Sequence, residues 1–405
     1  MFLEVLERGR SQAGEMGRQE EFPDCSVRAN ERTKMKTKII RQAFAEANAA
    51  VKGVVGKDAL SVFANVRLDV SGDNVSLTGT NGDMQLEWRL KGECGENGTV
   101  TVPGMRLAAF ASAMPDGTVT IETVAVDKLK IAGGEGVTFR LAAGEGDKYA
   151  AMTGPKEGAV VATLPAVTFR EMLRKVKFAA SDDLKRANLC GVNMRLHDDV
   201  LDMTATDGRR LAHIEFEIRE AADDGFDVTL ANKAVGVLFG LLAKVDEGDV
   251  YISSDGKSVR IMCSSWCLTA KVVDGVYPSW KKVVPGRPQY RAEIGRVEFL
   301  AALERAALAS DGDSPSVKVS VAPGLVEFEA RGEFADAKTA TDKCKIAVAD
   351  AKESWHFNPR LLKDALESID EDDFALEFGW GGAHGPVILK CSVPWFVVIM
   401  PLQKN

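Results

Sequence analysis

The chain has 405 residues, a length that predicts two or three domains. Its apolar share of 45% and its charged share of 27% are ordinary for a globular protein, which excludes wholesale disorder and a fibrous repeat. The net charge of −8, from 51 basic and 59 acidic residues, argues against a protein that coats nucleic acid with bulk positive charge.

The first 34 residues have no counterpart in the rest of the chain. Met1–Arg32 contains several charged residues and no apolar segment, so it does not resemble a secretory signal. We expect residues 1–34 to be a disordered extension or the product of a mis-chosen start codon. No apolar run reaches the roughly 18 residues that a membrane span needs, and we therefore expect a cytoplasmic protein.

Two amphipathic helix patterns each occur three times along the chain. The first has apolar residues at i, i+3, i+4 and i+7, and it begins at Ile40, Phe169 and Phe299, with spacings of 129 and 130 residues. The second begins at Leu107, Val235 and Leu362, with spacings of 128 and 127 residues. Two independent patterns with one period indicate a unit that is repeated three times.

Short alternating segments repeat with nearly the same period. Val75–Gly82 and Leu201–Gly208 end in Asn-Gly and Asp-Gly, which are strong hairpin signals, and Val326–Gly332 is a looser third copy. Two helices are enough to cover one face of a sheet. The sequence therefore predicts an α+β fold of three tandem similar domains, each with two helices packed on an antiparallel sheet. Turn residues place these domains at 35–156, 157–286 and 287–405.

Basic residues recur on the predicted helices, whereas acidic residues concentrate in strands and loops. We expect the first helix of the middle domain to continue to Arg186, with its basic face opposite Phe169. If the helices share one concave surface, that surface would attract phosphate without reading base sequence. A charged helix face is also ordinary solvated surface, so the pattern alone leaves both readings open. The candidate DNA-facing residues are Arg41, Lys52, Arg106, Arg170, Arg174, Lys177, Lys185, Arg186, Lys233, Arg296, Arg305 and Arg360.

The sequence contains no convincing catalytic or metal-binding pattern. The four histidines lack metal-ligand spacing, and the one close cysteine pair, Cys263 and Cys267, has no companion pair. Ser254–Lys257 matches Ser-x-x-Lys, but its Asp-Gly centre indicates a turn. We predict that the protein is not an enzyme and binds neither a cofactor nor a metal ion.

Several segments resemble the bacterial sliding clamp family, the beta subunit of the replicative DNA polymerase. Ala205-Thr-Asp-Gly-Arg-Arg-Leu-Ala212 is similar to a signature of that family, and Val272–Pro285 is similar to the segment that closes its second domain. Val397–Leu402 resembles the C-terminal ending of the family, and Met35–Ile39 resembles its start. The resemblance therefore extends from about Met35 to the end of the chain.

The resemblance implies a ring of two chains around duplex DNA, with sheets outside and helices lining the hole. The two chains would be a head-to-tail homodimer, closed by strand addition between the first and third domains. By resemblance, Phe139, Leu308 and Ala309 lie at that interface, and Ala309 stands where the family often has a larger residue.

The family also implies that DNA polymerase and clamp loader insert short apolar peptides into one pocket. Arg209 and the ending Gln403–Asn405 depart from the family pattern, which leaves open a clamp that serves a phage, plasmid or repair polymerase. A protein-binding scaffold with the same three domains but no ring is a second alternative, and it differs in oligomeric state. The residues at matching pocket positions are Leu189, Thr206, Gly208, Arg210, Leu211, Pro278, Val283, Val398, Met400, Pro401 and Leu402.

Overall fold

The structure is a computed structural model, and it describes residues 34–56, 61–156, 160–218, 225–310, 315–332, 335–341, 344–346, 352–380 and 384–403. Apart from residue 34, the N-terminal extension lies outside these residues. The predicted disorder of that extension therefore stays a prediction.

The first set of elements contains ten strands and two helices. They are β1 (Lys36–Ile40), α1 (Arg41–Lys52), β2 (Asn65–Ser71), β3 (Asn74–Thr80), β4 (Met84–Lys91), β5 (Glu93–Glu96), β6 (Gly98–Pro103), α2 (Gly104–Ala113), β7 (Thr118–Ala125), β8 (Lys128–Ala132), β9 (Thr138–Ala142) and β10 (Gly144–Glu145).

The second set has the same order of strand, helix, strands, helix and strands, with three strands after its second helix where the first set has four. It comprises β11 (Ala162–Pro165), α3 (Ala166–Lys177), β12 (Gly191–His197), β13 (Val200–Thr206), β14 (Arg210–Glu217), β15 (Phe226–Ala231), α4 (Asn232–Leu242), β16 (Asp249–Ser254), β17 (Ser258–Cys263) and β18 (Trp266–Lys271).

The third set repeats the order again. It comprises β19 (Tyr290–Gly295), α5 (Arg296–Ala307), β20 (Val317–Ala322), β21 (Leu325–Arg331), β22 (Asp336–Thr341), β23 (Cys344–Ile346), β24 (Glu353–Phe357), α6 (Pro359–Glu367), β25 (Asp373–Phe378), β26 (Val387–Lys390) and β27 (Trp395–Ile399).

The predicted α+β fold with a threefold internal repeat is confirmed. The first helix of each set buries the phenylalanine of its apolar stripe, and Phe44, Phe169 and Phe299 are at most 1% exposed. Burying such a stripe against a sheet is the main source of stability for helices of this length.

All the strand pairs between named elements are antiparallel, and two of the four sheets cross from one set of elements to the next. One nine-stranded sheet has the order β10-β6-β2-β3-β4-β18-β17-β16-β11, and the other has the order β15-β12-β13-β14-β27-β26-β25-β19-β23. We call the β4–β18 ladder seam 1 and the β14–β27 ladder seam 2. The remaining sheets are β5-β1-β7-β8-β9 and β22-β21-β20-β24, and they end at β9 and β22.

The two predicted hairpin turns are present. Gly82 and Gly208 adopt φ values of +88° and +84°, a conformation that side chains with a Cβ rarely accept. Cys263 and Cys267 lie on the two strands of a further hairpin, with Met262 paired to Cys267, and both thiols are free. The two cysteines therefore lie on neighbouring strands and not on one strand.

The predicted continuation of helix α3 to Arg186 is wrong. The helix ends at Lys177, and Leu184–Leu189 forms a separate 3₁₀ segment. The Ser181 hydroxyl accepts the Asp183 N–H, and the Asp183 carboxylate accepts the Lys185 N–H. These local bonds replace the helical ones, because short polar side chains compete for backbone donors.

Candidate functional site

The twelve candidate DNA-facing residues fall into two groups by exposure. Eight are exposed, and four are half-buried and bonded to other parts of the chain. The exposed residues are Lys52, Arg106, Lys177, Lys185, Arg186, Lys233, Arg305 and Arg360, and the half-buried ones are Arg41, Arg170, Arg174 and Arg296. Only the first group is available to a phosphate backbone without rearrangement.

Three of the four half-buried arginines bond to backbone carbonyls or to carboxylates close to them in the same set of elements. Arg41 donates to the Met114 and Ser112 carbonyls, and Arg296 donates to the Glu371 carbonyl. The Arg170 guanidinium lies 3.5 Å from the Leu242 carbonyl oxygen and 3.8 Å from the Glu171 carboxylate. These contacts orient the loops that follow the second helix of each set, which is a structural role.

Arg174 and Lys175 form an ion-pair cluster at seam 2. Both side chains contact the Asp370 carboxylate, and Arg174 also contacts Glu171. The Lys175 side chain is 0% exposed, with its Nζ 5.3 Å from the centre of the Trp395 ring, and the Trp395 indole donates to the Lys175 carbonyl at 2.9 Å. Burial lowers the pKa of Arg174, but the Glu171 and Asp370 carboxylates outweigh burial and hold this pKa above its usual value. Arg174 therefore joins the second and third sets of elements.

The outer face of seam 2, opposite the helices, carries a small apolar cluster of its own. Leu211 on β14 pairs with Val398 on β27, and both are 1% exposed. Ile388 completes the buried part of the cluster, and Trp280 and Trp380 pack against it. The cluster is separate from the main core. We call the outer surface formed by this cluster and the two tryptophans the outer groove.

The turn that follows β13 is tied to the connector between the second and third sets. The Thr206 N–H donates to the Tyr277 hydroxyl at 2.9 Å, and the Thr206 hydroxyl donates to the Arg210 carbonyl at 2.6 Å. Burial raises the pKa of Tyr277 well above its usual value, so this hydroxyl stays neutral. Asn188 donates to the Val276 carbonyl and fixes the connector from the other side.

The eleven candidate pocket residues differ in their access to solvent. Val283 and Met400 are 42% and 41% exposed, and with exposed Pro278 they offer apolar surface at the rim. The buried members are Leu189, Thr206, Leu211, Val398 and Pro401, and Leu402 is half-buried. Gly208 lies in the turn between β13 and β14, close to the Arg186 side chain.

Arg210 points away from this groove into the joint between two sets of elements. Its guanidinium bonds to Asp364, to Asp207 and to the Phe178 carbonyl, and its side chain is 9% exposed. Arg210 belongs to the segment that resembles the family signature, but its contacts indicate that it stabilises seam 2.

An aromatic cluster that the sequence did not reveal supports the same groove. The His213 ring centre lies 4.2 Å from that of Trp280 and 5.0 Å from that of Phe396. The two ring nitrogens of His213 contact the Thr204 hydroxyl and the Glu215 carboxylate, and the bond with His213 lowers the pKa of Glu215. Trp280 lies in the 272–285 segment, but no local sequence pattern identifies its stacking partners.

The three candidate interface residues lie near the free sheet edges. Phe139 on β9 stacks on Phe110 with ring centres 4.2 Å apart, and Leu308, directly after α5, is 87% exposed. Ala309 is 5% exposed and packs inside its own set of elements.

Metal-binding clusters and membrane-spanning helices are both absent from the described residues. Within the described ranges, no group of three or more His, Cys, Asp or Glu side chains could hold a metal ion. Across the same part of the chain, no helix has the length and apolar content that crossing a membrane takes.

Three family models match successive parts of the chain. They are described as the N-terminal, central and C-terminal domains of the DNA polymerase III beta subunit, and they match residues 35–153, 163–279 and 281–392.

Individual relatives are similar over almost their whole length. A beta sliding clamp of Chlamydia pneumoniae is 25% identical over 92% of this chain and 100% of its own. The DNA polymerase sliding clamp of Bacillus subtilis superimposes with a TM-score of 0.84 at 22% identity, covering 92% of this chain and 100% of its own. A DnaN sliding clamp from Pseudomonas aeruginosa bound to griselimycin gives the same TM-score at 23% identity and the same coverage.

Proposed function

This chain belongs to the DNA polymerase III beta subunit family, the bacterial DNA sliding clamps, and from this membership we propose that two copies close head to tail into a ring around duplex DNA. A sliding clamp is a processivity factor of DNA replication and not an enzyme. It keeps DNA polymerase on its template by a topological link, so it needs no catalytic residues.

Ring closure is supported by the pattern of the two seams. In each seam, the third strand of a meander pairs with the last strand of the following set. β4 pairs with β18 at seam 1, and β14 pairs with β27 at seam 2. The next strands in this pattern are β22 and β9, which end sheets of four and five strands. Joined between two copies, they would form a third nine-stranded sheet and would cover edges that are otherwise open to aggregation.

Two apolar side chains support the same contact. Leu308 is 87% exposed directly after α5, and Phe139 lies on the open strand β9. In the proposed contact, a second copy would remove the exposed Leu308 side chain from water, which is favourable. Ala309 would act indirectly, because its side chain belongs to the core of its own domain.

The three domains of this proposal have the bounds 35–156, 157–286 and 287–405.

Duplex DNA would pass the helix side of the ring. Lys52, Lys177 and Lys233 are exposed at helix positions, and a sparse set of such cations would attract phosphates without holding any one register. Few ion pairs suit a protein that slides, since each additional phosphate contact strengthens binding at a fixed place.

Polymerase and clamp loader would bind through short apolar peptides at the outer groove of seam 2. Leu211 and Val398 form a buried apolar layer beneath this surface, and Val283 and Met400 offer exposed apolar side chains beside it. A groove of this kind with few polar groups suits Leu and Phe side chains, and a flexible Met adapts to more than one partner. The relative bound to griselimycin supports the presence of a ligand site in the family.

Retention on circular DNA tests the function. Labelled protein is loaded onto nicked circles by a bacterial clamp loader with ATP, and the bound fraction is measured by gel filtration before and after the circle is cut. We expect retention on the circle and loss after linearisation, because a topological link has no grip on a free end. Equal retention on both forms would overturn the ring.

Charge reversal of two proposed DNA-facing lysines tests their role in the same retention assay. Lys177→Glu with Lys233→Glu should lower retention by about threefold or more, because each removes one attraction to phosphate. The matched control is Lys257→Glu, an exposed lysine in the turn between β16 and β17. A loss equal to that of the control would contradict the lining assignment.

A further inference from the structure

Helices α3 and α5 occupy corresponding places in successive domains. Each has twelve residues, they start 130 positions apart, and both bury a phenylalanine at the fourth position. Residues 174, 175 and 178 therefore correspond to residues 304, 305 and 308. This correspondence allows the environment of one helix end to be compared with that of the other.

The two helix ends differ in exposure at these three positions. On α3, Lys175 is 0% exposed, and Arg174 and Phe178 are half-buried. On α5, Glu304, Arg305 and Leu308 are all exposed. The neighbouring residues do not differ in this way: Ala179 and Ala309 are both buried. The difference is therefore local to the side that faces the next domain.

Residues of the third domain bury the end of α3. Asp370, in the turn after α6, lies 3.1 Å from Lys175 Nζ, and Trp395 lies beside the same ammonium group. The residues that the structure describes contain no fourth set of elements that covers the end of α5 in the same way. In the proposed ring, its neighbour is the first domain of the second copy.

The turn after α2 of the first domain corresponds to the turn that carries Asp370. The backbone N–H at the start of α1 bonds to the Gly117 carbonyl, and the N–H at the start of α5 bonds to the Asp372 carbonyl, which aligns the two turns. Asp116 is the carboxylate of the first turn, one position beyond the place of Asp370, and it is 96% exposed. An arginine is long enough to cover that one-residue shift.

We propose that Arg305 of one copy pairs with Asp116 of the other copy, as the counterpart of the Lys175–Asp370 contact. The inference rests on the proposed ring and moves Arg305 from the DNA-facing surface to the dimer interface. Nearby charges are compatible with this pair: within the chain Asp116 lies 3.6 Å from Arg41, and Glu304 is already 2.7 Å from Lys363. In the proposed contact Asp116 would lie between two cationic side chains, Arg41 of its own copy and Arg305 of the other, as Asp370 lies between Arg174 and Lys175.

A head-to-tail dimer contains this pair twice, which permits a complementation experiment. Arg305→Glu places two carboxylates together at both interfaces of its homodimer, and Asp116→Arg places two guanidinium groups together at both. A mixed dimer has one interface with the charges exchanged and one interface with the unchanged arginine and aspartate. Both single variants should therefore dimerise poorly, and their equimolar mixture should dimerise well.

The dimer dissociation constant is measured by sedimentation for each variant, for the mixture and for the unchanged chain. We expect each variant alone to raise the constant by about tenfold or more and the mixture to recover most of this loss. The control is Arg360→Glu, an exposed arginine on α6, which should leave the constant unchanged. Arg305→Lys, which keeps the charge, should lie between the unchanged chain and Arg305→Glu.

The possible failures are distinguishable. An unchanged chain that is monomeric at every concentration would overturn the ring itself. A dimeric unchanged chain with Arg305→Glu equal to the Arg360→Glu control would overturn this inference and leave the ring in place. A mixture no stronger than its two components would also overturn the pairing. Circular dichroism of each variant shows that the domains remain folded.

Discussion

Seams 1 and 2 have the same backbone pairing but different outer faces. At seam 1 the outward pairs are Glu87 with Cys267 and Gln85 with Thr269, whereas at seam 2 they are His213 with Phe396 and Leu211 with Val398. The backbone repeat therefore joins the domains in both places. The side chains alone make an apolar groove at one seam and a polar surface at the other.

The connectors that cover the two seams differ in the same way. At seam 1 the Met152 N–H donates to the Gln85 side chain, and Glu87 forms an ion pair with Arg89. At seam 2 the connector contributes Tyr277 and Trp280, whose rings are parts of the groove. Seam 1 is thus closed by hydrogen bonds, which leaves seam 2 as the place where an apolar peptide finds apolar partners.

The two seams also differ on their helix sides, and this difference predicts the largest effect of a substitution, on the free energy of unfolding. Seam 2 has the buried Lys175, whereas the corresponding residue of α1 at seam 1 is Ala50. Asp370→Asn removes the carboxylate next to Lys175 and should lower the free energy of unfolding by about 2–3 kcal/mol, because a buried charge loses its counter-ion. Urea unfolding at one fixed protein concentration measures this change.

A double substitution separates charge from packing in that experiment. Lys175→Met together with Asp370→Asn removes the buried charge as well as its partner and should recover most of the lost free energy. If the double variant is as unstable as Asp370→Asn alone, the instability comes from packing, and the ion-pair account of seam 2 is wrong.

The difference between the outer faces of the two seams predicts a smaller effect, on the affinity for a peptide at seam 2. Truncation after Ile399 removes Met400, which bonds to the Arg209 carbonyl, and Pro401, which is buried. Affinity for a short peptide with Leu and Phe anchors should fall at least about tenfold, or about 1.4 kcal/mol, because one wall of the groove is lost. Fluorescence anisotropy of a labelled peptide measures the affinity.

The truncated chain should keep its dimer, since β9 and β22 are far from the deleted segment in the sheet order. Met105→Ala, an exposed methionine on α2 outside the groove, is the matched control for loss of a methionine side chain. Unchanged peptide affinity after truncation would exclude this groove as the peptide site.

The repeat and the fold class could be predicted from the sequence because each depends on local periodicity. The apolar stripes that begin at Phe169 and Phe299 face the sheets, and the Asn-Gly and Asp-Gly turns lie where expected. The end of α3 could not be placed, since the side chains of Ser181 and Asp183 divert the backbone donors that would have continued it.

The seams could not be predicted, because they join strands that are far apart in sequence. Arg210 pairs with Ile399, and no local pattern identifies that partner. The roles of Arg174 and Arg210 depend on Asp370 and Asp364, which the seams bring close. The sequence shows which residues are basic, but it could not predict which of them form ion pairs within the chain.

The mass of the protein in solution is the most direct test of the account. One chain has a mass of 43.7 kDa, and in the proposed ring two open strand edges close against a second copy. Light scattering at micromolar concentration should give about twice the mass of one chain. A mass of one chain throughout that range would contradict the closed ring and leave β9 and β22 without their proposed partners.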